Sequence, residues 1–152
     1  MGMIVVGVDH SDGAKAALRF ALDEAHLRNA TLRAVHAWRF GYVDAPGIEA
    51  GGPMLGVELG DLRRGAEAAL EATLSDVLPA DGGGVEVERR VVEGSAAGVL
   101  VDESRDAELL VVGSRGLGGF RGLLLGSVGQ QCAHHAACPV VIVPHPHPHR
   151  HA

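Results

Sequence analysis

Short apolar runs that alternate with amphipathic stretches constrain the fold of this sequence more than any other feature. The runs are rich in β-branched residues, which suits strands of a parallel sheet. Strands are predicted at 3–8, 31–38, 85–92, 109–112 and 140–143, and helices at 11–28, 61–78, from 95 and at 128–136. This alternation predicts a single-domain, Rossmann-like α/β fold, an open five-stranded parallel sheet with right-handed crossovers and helices on both faces.

Length and charge narrow the class of protein further. The chain has 152 residues, which fits one domain. Its net charge is −6 and it has a single lysine, Lys15, which argues against a nucleic-acid surface. No apolar run is long enough for a membrane span, and the first eight residues do not look like a signal peptide. We therefore expect a cytoplasmic protein that binds neither nucleic acid nor membrane.

Two parts of the chain fall outside the regular pattern. The domain is predicted over 1–144, with an extended, disordered tail of alternating proline and histidine at 145–152. The four tail histidines could chelate nickel, copper or zinc, but low complexity explains them equally well, and no metal site is predicted. The long glycine-rich loop near 41–60 is predicted to be functional or mobile.

The two cysteines have a spacing that matches neither a redox pair nor a zinc site. Cys132 and Cys138 lie six residues apart around a predicted helix end. The simplest interpretation is two small buried residues in a reducing compartment.

A glycine turn after the fourth strand, together with the start of the next helix, predicts an anion site. Gly113 and Gly116 allow close approach of backbone N–H donors to phosphate oxygens. Gly126 and Ser127 follow after nine residues, where a helix start offers unpaired N–H groups, its dipole and a capping hydroxyl. The segment has no lysine for a Walker loop, and Arg121 stands where the dinucleotide fingerprint needs its third glycine.

These residues resemble the nucleotide-binding branch of the universal stress protein family, which carries G-x2-G-x9-G-[ST] at this place. Gly113, Gly116, Gly126 and Ser127 match that motif in full. The opening Val6-Gly7-Val8-Asp9-His10-Ser11 is similar to the family's V-G-x-D-x-S, and Cys138 to Val143 resembles its C-P-V-x-x-V ending. The resemblance covers nearly the whole chain except the 41–60 loop and the tail.

The resemblance implies strand order 3-2-1-4-5 and an adenine nucleotide as ligand. In such a sheet the ligand crevice opens between strands one and four, so Asp9 would bind ribose or base while the glycine loop binds phosphates. The resemblance also suggests ligand contacts for Gly7, Val8, Ala37, Val112 and Val128. Arg115 and Arg121 could neutralise phosphate charge, although a surface role for either arginine is an equal alternative.

Structural alternatives exist for several of these residues. The glycines could simply form a tight turn, and Asp9 could cap the first helix through an Asx turn. His10, His26 and His36 lie on separate elements and are assigned no chemistry. His134 and His135 could stabilise the end of the last helix through its dipole.

The sequence thus favours a regulatory module of stress response that binds ATP, or AMP, with or without Mg²⁺. No catalytic residue is predicted, so an enzyme is not expected, although slow ATP hydrolysis is left open. The alternatives are a nucleotide-free, dimeric interaction protein of the same family and a phosphotransferase on a related fold. The resemblance further implies a homodimer through the strand Val140–Val143, an edge without blocking charges.

Overall fold

A computed structural model of the chain describes residues 2–9, 11–39, 59–114 and 125–144. Strands and helices alternate along these residues. The elements are β1 (Met3–Gly7), α1 (Asp12–Arg28), β2 (Thr31–Trp38), α2 (Leu59–Val77), β3 (Val87–Glu93), α3 (Ala96–Glu103), β4 (Leu109–Gly113), α4 (Ser127–His135) and β5 (Val140–Val143). The predicted loop at 41–60 and the tail at 145–152 lie outside the described residues, apart from Leu59 and Gly60 at the start of α2.

The five strands form one parallel sheet in the order β3-β2-β1-β4-β5, which confirms the expected topology. The central strand β1 pairs Val6 with Ala34 of β2 on one side and with Val111 of β4 on the other. The outer strands β3 and β5 form the two edges of the sheet.

Apolar residues on alternate positions of the strands build a core on each face of the sheet. Ile4 and Val6 pack with α1 and α2, whereas Val5 packs with α3 and α4. Successive side chains of a strand point to opposite faces, so a strand covered by helices on both sides must be apolar throughout. This requirement explains the continuous apolar runs in the sequence.

None of the helices within the described ranges is long and apolar enough to cross a membrane.

Two helices begin at serines that the sequence marks as caps. Ser11 Oγ accepts a hydrogen bond from Ala14 N at 3.0 Å, and Ser95 Oγ accepts one from Gly98 N at 3.2 Å. Each serine satisfies one of the N–H groups that a helix start leaves without a partner. At the other end of α1, Asn29 adopts a left-handed conformation, with φ at 52°.

Several element boundaries differ from the predicted ones by one or two residues. β3 begins at Val87 rather than Val85, because Val85 N–H still donates to the carbonyl of Gly82, at 3.2 Å, in the preceding turn. Gly82, Gly83 and Gly84 all have positive φ there, a conformation that glycine adopts without strain. β1 ends at Gly7, one residue early, and α2 begins at Leu59, two residues early.

A buried carboxylate joins α3 to the sheet. Glu103, at the end of α3, is 7% exposed and contacts Arg33 of β2 at 3.2 Å and Arg90 of β3 at 3.0 Å. Arg33 also binds Glu88, at 2.8 Å. Burial by itself would lower the pKa of Arg33, but the hydrogen bonds and charges of Glu88 and Glu103 together hold it above its ordinary value. Arg33 therefore stays fully charged.

Candidate functional site

The carboxyl ends of β1 and β4 form the candidate site, because the chain leaves these neighbouring strands in opposite directions. β1 is followed by α1 and β2 on one side, and β4 by α4 and β5 on the other. A crevice opens at such a point in parallel α/β sheets. Asp9 follows β1 directly, and Gly113 is the last residue of β4. The topology thus brings together two predicted site residues that lie about a hundred positions apart in sequence.

Backbone and side-chain hydrogen bonds hold the end of β1 against β2. Val8 is buried, and its N–H donates to Val35 O at 2.9 Å. The carbonyl of Val8 lies 2.8 Å from His36 Nδ1, so this ring nitrogen carries the proton and donates. Sequence reasoning gave His36 no role, because the contact depends on the register between β1 and β2. The ring therefore fixes the main chain at the mouth of the crevice.

Asp9 forms the turn that leads into α1. Its Oδ1 accepts hydrogen bonds from Ser11 N at 3.0 Å and from Ser11 Oγ at 2.5 Å. Ser11 Oγ in turn accepts the capping bond from Ala14. This arrangement is the Asx turn that the sequence left as an alternative. It holds the carboxylate at the end of β1, where the sheet opens.

Gly7 meets a packing requirement as well as any ligand requirement. A Cβ atom at this position would lie 2.7 Å from Leu100 Cδ1, and Leu100 is buried in α3. A glycine is therefore needed here for the close approach of α3 to β1. Close helix packing is a physical reason for this glycine that the sequence alone did not supply.

At the end of β4, backbone hydrogen bonds join the two ends of the glycine-rich loop. Gly113 pairs with Val143 of β5, and the next residue, Ser114, donates its N–H to Val143 O at 2.8 Å. The carbonyl of Ser114 accepts from Gly126 N at 2.6 Å. The loop therefore leaves and re-enters the fold at one place. Arg115, Gly116 and Arg121 lie outside the described residues.

The start of α4 differs from the prediction in one respect. Gly126, not Ser127, is the N-cap, and Ser127 is the first helical residue. Ser127 was expected at the cap, but Gly126 already has the extended backbone of a cap residue, with φ −73° and ψ 170°. Since glycine has no side chain, no side chain caps this helix. Among the described residues, none accepts a hydrogen bond from the N–H groups of Ser127, Val128 and Gly129 in its first turn.

The first turn of α4 packs closely against the end of β4. A Cβ atom at Gly129 would lie 3.8 Å from the carbonyl oxygen of Gly113 and 2.6 Å from Leu125 Cδ1. The two halves of the predicted anion site therefore adjoin. Val128 is half-buried and packs, with Val112 of β4, in the core between the sheet and α3 and α4.

Ala37 occupies the carboxyl end of β2, next to β1. It pairs with Val92 of β3 and packs against the same core as Val128. Its position places it beside the end of β1 but does not by itself define a ligand contact.

Ionisable groups suited to nucleophilic or metal chemistry are sparse in the described part of the chain. No cluster of three or more His, Cys, Asp or Glu residues there has the geometry to bind a metal ion. Burial, and next the charge of Cys138, raises the pKa of the Cys132 thiol to about 11. Burial likewise raises the pKa of Cys138. Both thiols are free and protonated near neutral pH; Cys132 is buried as expected, whereas Cys138 is only partly buried.

Fold and site together define a class: an open parallel α/β domain whose switch point lies beside the acidic end of β1, Gly113 at the end of β4 and a helix start without a side-chain cap. The family model described as "Universal stress protein family" matches residues 1–144. The chain belongs to the universal stress protein family, as the sequence motifs indicated.

Relatives and solved structures of this family cover most of the chain. It is 37% identical over 142 residues to a universal stress protein of Mycobacterium tuberculosis, which covers 91% of this chain and 44% of the relative. The chain spans about half the length of the curated relatives it matches, 45% for one from Mycolicibacterium smegmatis.

Two similar structures were solved with nucleotides. A universal stress protein in complex with cAMP is 29% identical, with a TM-score of 0.60, covering 95% of this chain and 98% of that one. The universal stress protein of Archaeoglobus fulgidus in complex with dAMP is 26% identical, with a TM-score of 0.64 and coverage of 94% and 98%.

Proposed function

We propose that this chain is an adenine-nucleotide-binding module, taking ATP or AMP with or without Mg²⁺, that regulates a response to stress. The observation that carries the proposal is the adjacency of Gly113, the uncapped start of α4 and the Asp9 turn at the switch point of the sheet. Family membership and the complexes of two relatives with cAMP and dAMP support an adenine nucleotide. We place the module in the cytoplasm, where its two thiols would stay reduced.

Each part of the site supplies what one part of a nucleotide needs. The first-turn N–H groups of α4 and its positive dipole end suit phosphate oxygens, which need donors and positive potential. The carboxylate of Asp9 accepts hydrogen bonds and suits ribose hydroxyls. In this proposal Arg115 offsets phosphate charge. The ligand site is lined by Gly7, Val8, Ala37, Val112, Gly116 and Val128.

Isothermal titration with ATP and AMP, each with and without millimolar magnesium, tests the proposal. The protein is first stripped of any copurifying nucleotide by unfolding and refolding. We expect saturable binding at a single site per chain. If refolded protein with native structure gives no binding heat with either nucleotide, the proposal is wrong.

A variant at Gly113 localises the site. Gly113→Val adds a branched side chain at the carboxyl end of β4, where the crevice opens, and should abolish nucleotide binding. Gly65→Ala is the matched control, because a Cβ there meets no atom within 4 Å and the position lies on the exposed part of α2. Normal binding by a folded Gly113→Val protein would show that the phosphate lies elsewhere.

Measurements on the same protein distinguish two other functions from nucleotide binding. A nucleotide-free interaction module would form dimers but give no titration heat, and the half-exposed apolar edge strand β5 favours the dimer itself. A slow ATPase would release phosphate with more than one turnover per site in a steady-state assay. We do not expect such turnover, since no general base other than Asp9 is assigned beside the crevice.

A further inference from the structure

Trp38, the single tryptophan of the chain, carries a buried polar atom that nothing in the fold accounts for. Its Nε1–H is inaccessible to solvent and has no hydrogen-bond partner, and no other buried side-chain nitrogen or oxygen in the described ranges shares this state. Buried donors in folded proteins are almost always paired, so an unpaired one calls for an explanation. An acceptor supplied by a ligand is one such explanation.

The position of Trp38 links it to the candidate site. It is the last residue of β2, and its backbone is fixed because its carbonyl accepts from Gly94 N at 2.7 Å. Side chains alternate along a strand, so Trp38 shares a face with His36, whose ring reaches Val8 O. The indole therefore belongs to the carboxyl edge of the sheet, on the same face as Ala34, which α1 and α2 cover.

Strand order determines which part of a nucleotide meets β2. The phosphate donors lie at the end of β4, and the Asp9 carboxylate lies at the end of the adjacent strand β1. Neighbouring strands are about 4.8 Å apart. A nucleotide laid across the sheet with its phosphate at β4 and its sugar at β1 therefore presents its base at β2, where Trp38 lies.

We propose that the Nε1–H of Trp38 donates a hydrogen bond to a ring nitrogen of the purine base. This inference rests on the proposed function and deepens it, since it makes Trp38 a residue that selects the base. The ring nitrogens of adenine at positions 1, 3 and 7 are acceptors, and an indole N–H can only donate, so the two chemistries are complementary. The donor is covered in the ligand-free protein, so the groups over it must shift for the base to reach it and pair with it.

A thermodynamic cycle that combines variants at Trp38 with deaza analogues of AMP tests the hydrogen bond. Trp38 is replaced by benzothienylalanine, in which sulfur stands for the N–H in a ring system of nearly the same shape, and Trp38→Phe serves as a genetically encoded second variant. Each protein is titrated with AMP and with its 1-deaza, 3-deaza and 7-deaza analogues, in which C–H replaces one ring nitrogen. Loss of one neutral hydrogen bond corresponds to roughly 3- to 10-fold in affinity.

We expect one deaza analogue to bind the natural protein about 3- to 10-fold more weakly than AMP does. The same analogue should bind the sulfur variant as tightly as AMP does. The ligand-free sulfur variant should unfold at the same temperature or higher, because it no longer buries an unpaired donor. Fluorescence of the single tryptophan should respond to AMP in the natural protein.

The outcomes separate this inference from the proposed function. If AMP binds the natural protein and each analogue loses the same factor in the natural and sulfur proteins, the hydrogen bond is wrong and the function stands. The same conclusion follows if AMP binds the natural, sulfur and Phe proteins equally. If AMP does not bind the natural protein, both fail together.

Discussion

At the scale of single residues, the glycine at position 7 is required by a contact that no local pattern reveals. The first strand fits its helix α3 only because nothing projects from Gly7 toward Leu100. The same residue lies in a motif that predicts close approach to a ligand. Packing and ligand approach therefore both require a residue without a side chain at position 7. Experiment must separate the two requirements.

We expect Gly7→Ala to lower the free energy of unfolding by about 1–3 kcal/mol, the usual cost of overfilling a core. Leu100 is buried and has little room to move away. Urea denaturation measures the effect, with Gly65→Ala as a control that should gain up to about 1 kcal/mol from helix propensity. An unchanged denaturation midpoint for Gly7→Ala would contradict the packing argument.

Adding Leu100→Ala to Gly7→Ala removes the contact and separates the two demands. If the double variant loses less stability than the two single losses combined, packing explains the glycine. If nucleotide affinity is still lost in the double variant, Gly7 also serves the ligand.

The buried thiol of Cys132 predicts a loss of stability at alkaline pH. Its folded pKa is about 11, raised above the ordinary value of 9.0. Between these values the unfolded thiol ionises while the folded one keeps its proton, so the free energy of unfolding falls as pH rises from about 9 to 11. The loss is at most about 2.7 kcal/mol for two pKa units.

Denaturation at several pH values checks this prediction against Cys132→Ala. The variant shifts the whole curve downward because it leaves a cavity, but it should fall less steeply above pH 9. Parallel curves for the two proteins would show that Cys132 does not cause the alkaline loss.

At the scale of the elements, the sequence predicted all five strands and the helix starts at Ser11 and Ser95, because each depends on neighbouring residues. The boundary of β3 was misplaced because the glycine turn extends through Val85. The cap of α4 was assigned to the better capping residue, Ser127, although Gly126 holds the cap geometry. Contacts such as His36 to Val8 depend on strand register, which a single sequence does not determine.

The site was predictable to the same extent. Asp9 and Gly113 were placed together because the resemblance supplied the strand order. The packing role of Gly7 and the unpaired donor of Trp38 depend on neighbours in three dimensions, so no local sequence pattern predicts them.

The carboxylate of Glu103 should contribute to holding α3 on the sheet, beside the apolar packing of Val99 and Leu100. Glu103→Gln removes its charge while keeping its shape, and leaves Arg33 and Arg90 each without one partner. Breaking a buried ion pair costs about 3–5 kcal/mol, and we expect the lower end because Arg33 keeps Glu88. Chemical denaturation measures the loss.

The exposed pair between Glu24 and Arg28 of α1 supplies the control. Its side chains are 23% and 44% exposed, and Glu24→Gln should cost less than about 1 kcal/mol. Similar losses for Glu24→Gln and Glu103→Gln would show that burial does not strengthen the Glu103 contacts.

At the scale of the whole molecule, β5 is the edge through which we propose that two copies pair. The carbonyls of Pro139 and Val143 accept from β4, at Leu110 N and Ser114 N. Backbone groups alternate in direction along a strand, so the N–H groups of Val140 and Ile142 point away from β4. These outward groups would bond the second copy.

Ile142→Pro should therefore dissociate the proposed dimer while leaving the fold intact, because proline is tolerated on an edge strand where its N–H would face outward. Light scattering should give twice the chain mass of 15.7 kDa for the natural protein and one chain mass for the variant. Ile142→Val, which keeps the N–H, should remain dimeric. A monomeric natural protein at micromolar concentration would refute the pairing.

Ser114 gives the molecule a mechanical connection between its two proposed surfaces. Its N–H is bonded to the edge strand β5 and its carbonyl to the cap of α4, through one residue in the fold. A displacement of the α4 start would act on the bond to Ser114 and, through Ser114, on its bond to β5. A ligand that moves the start of α4 should therefore also change the geometry of the outer edge of the sheet.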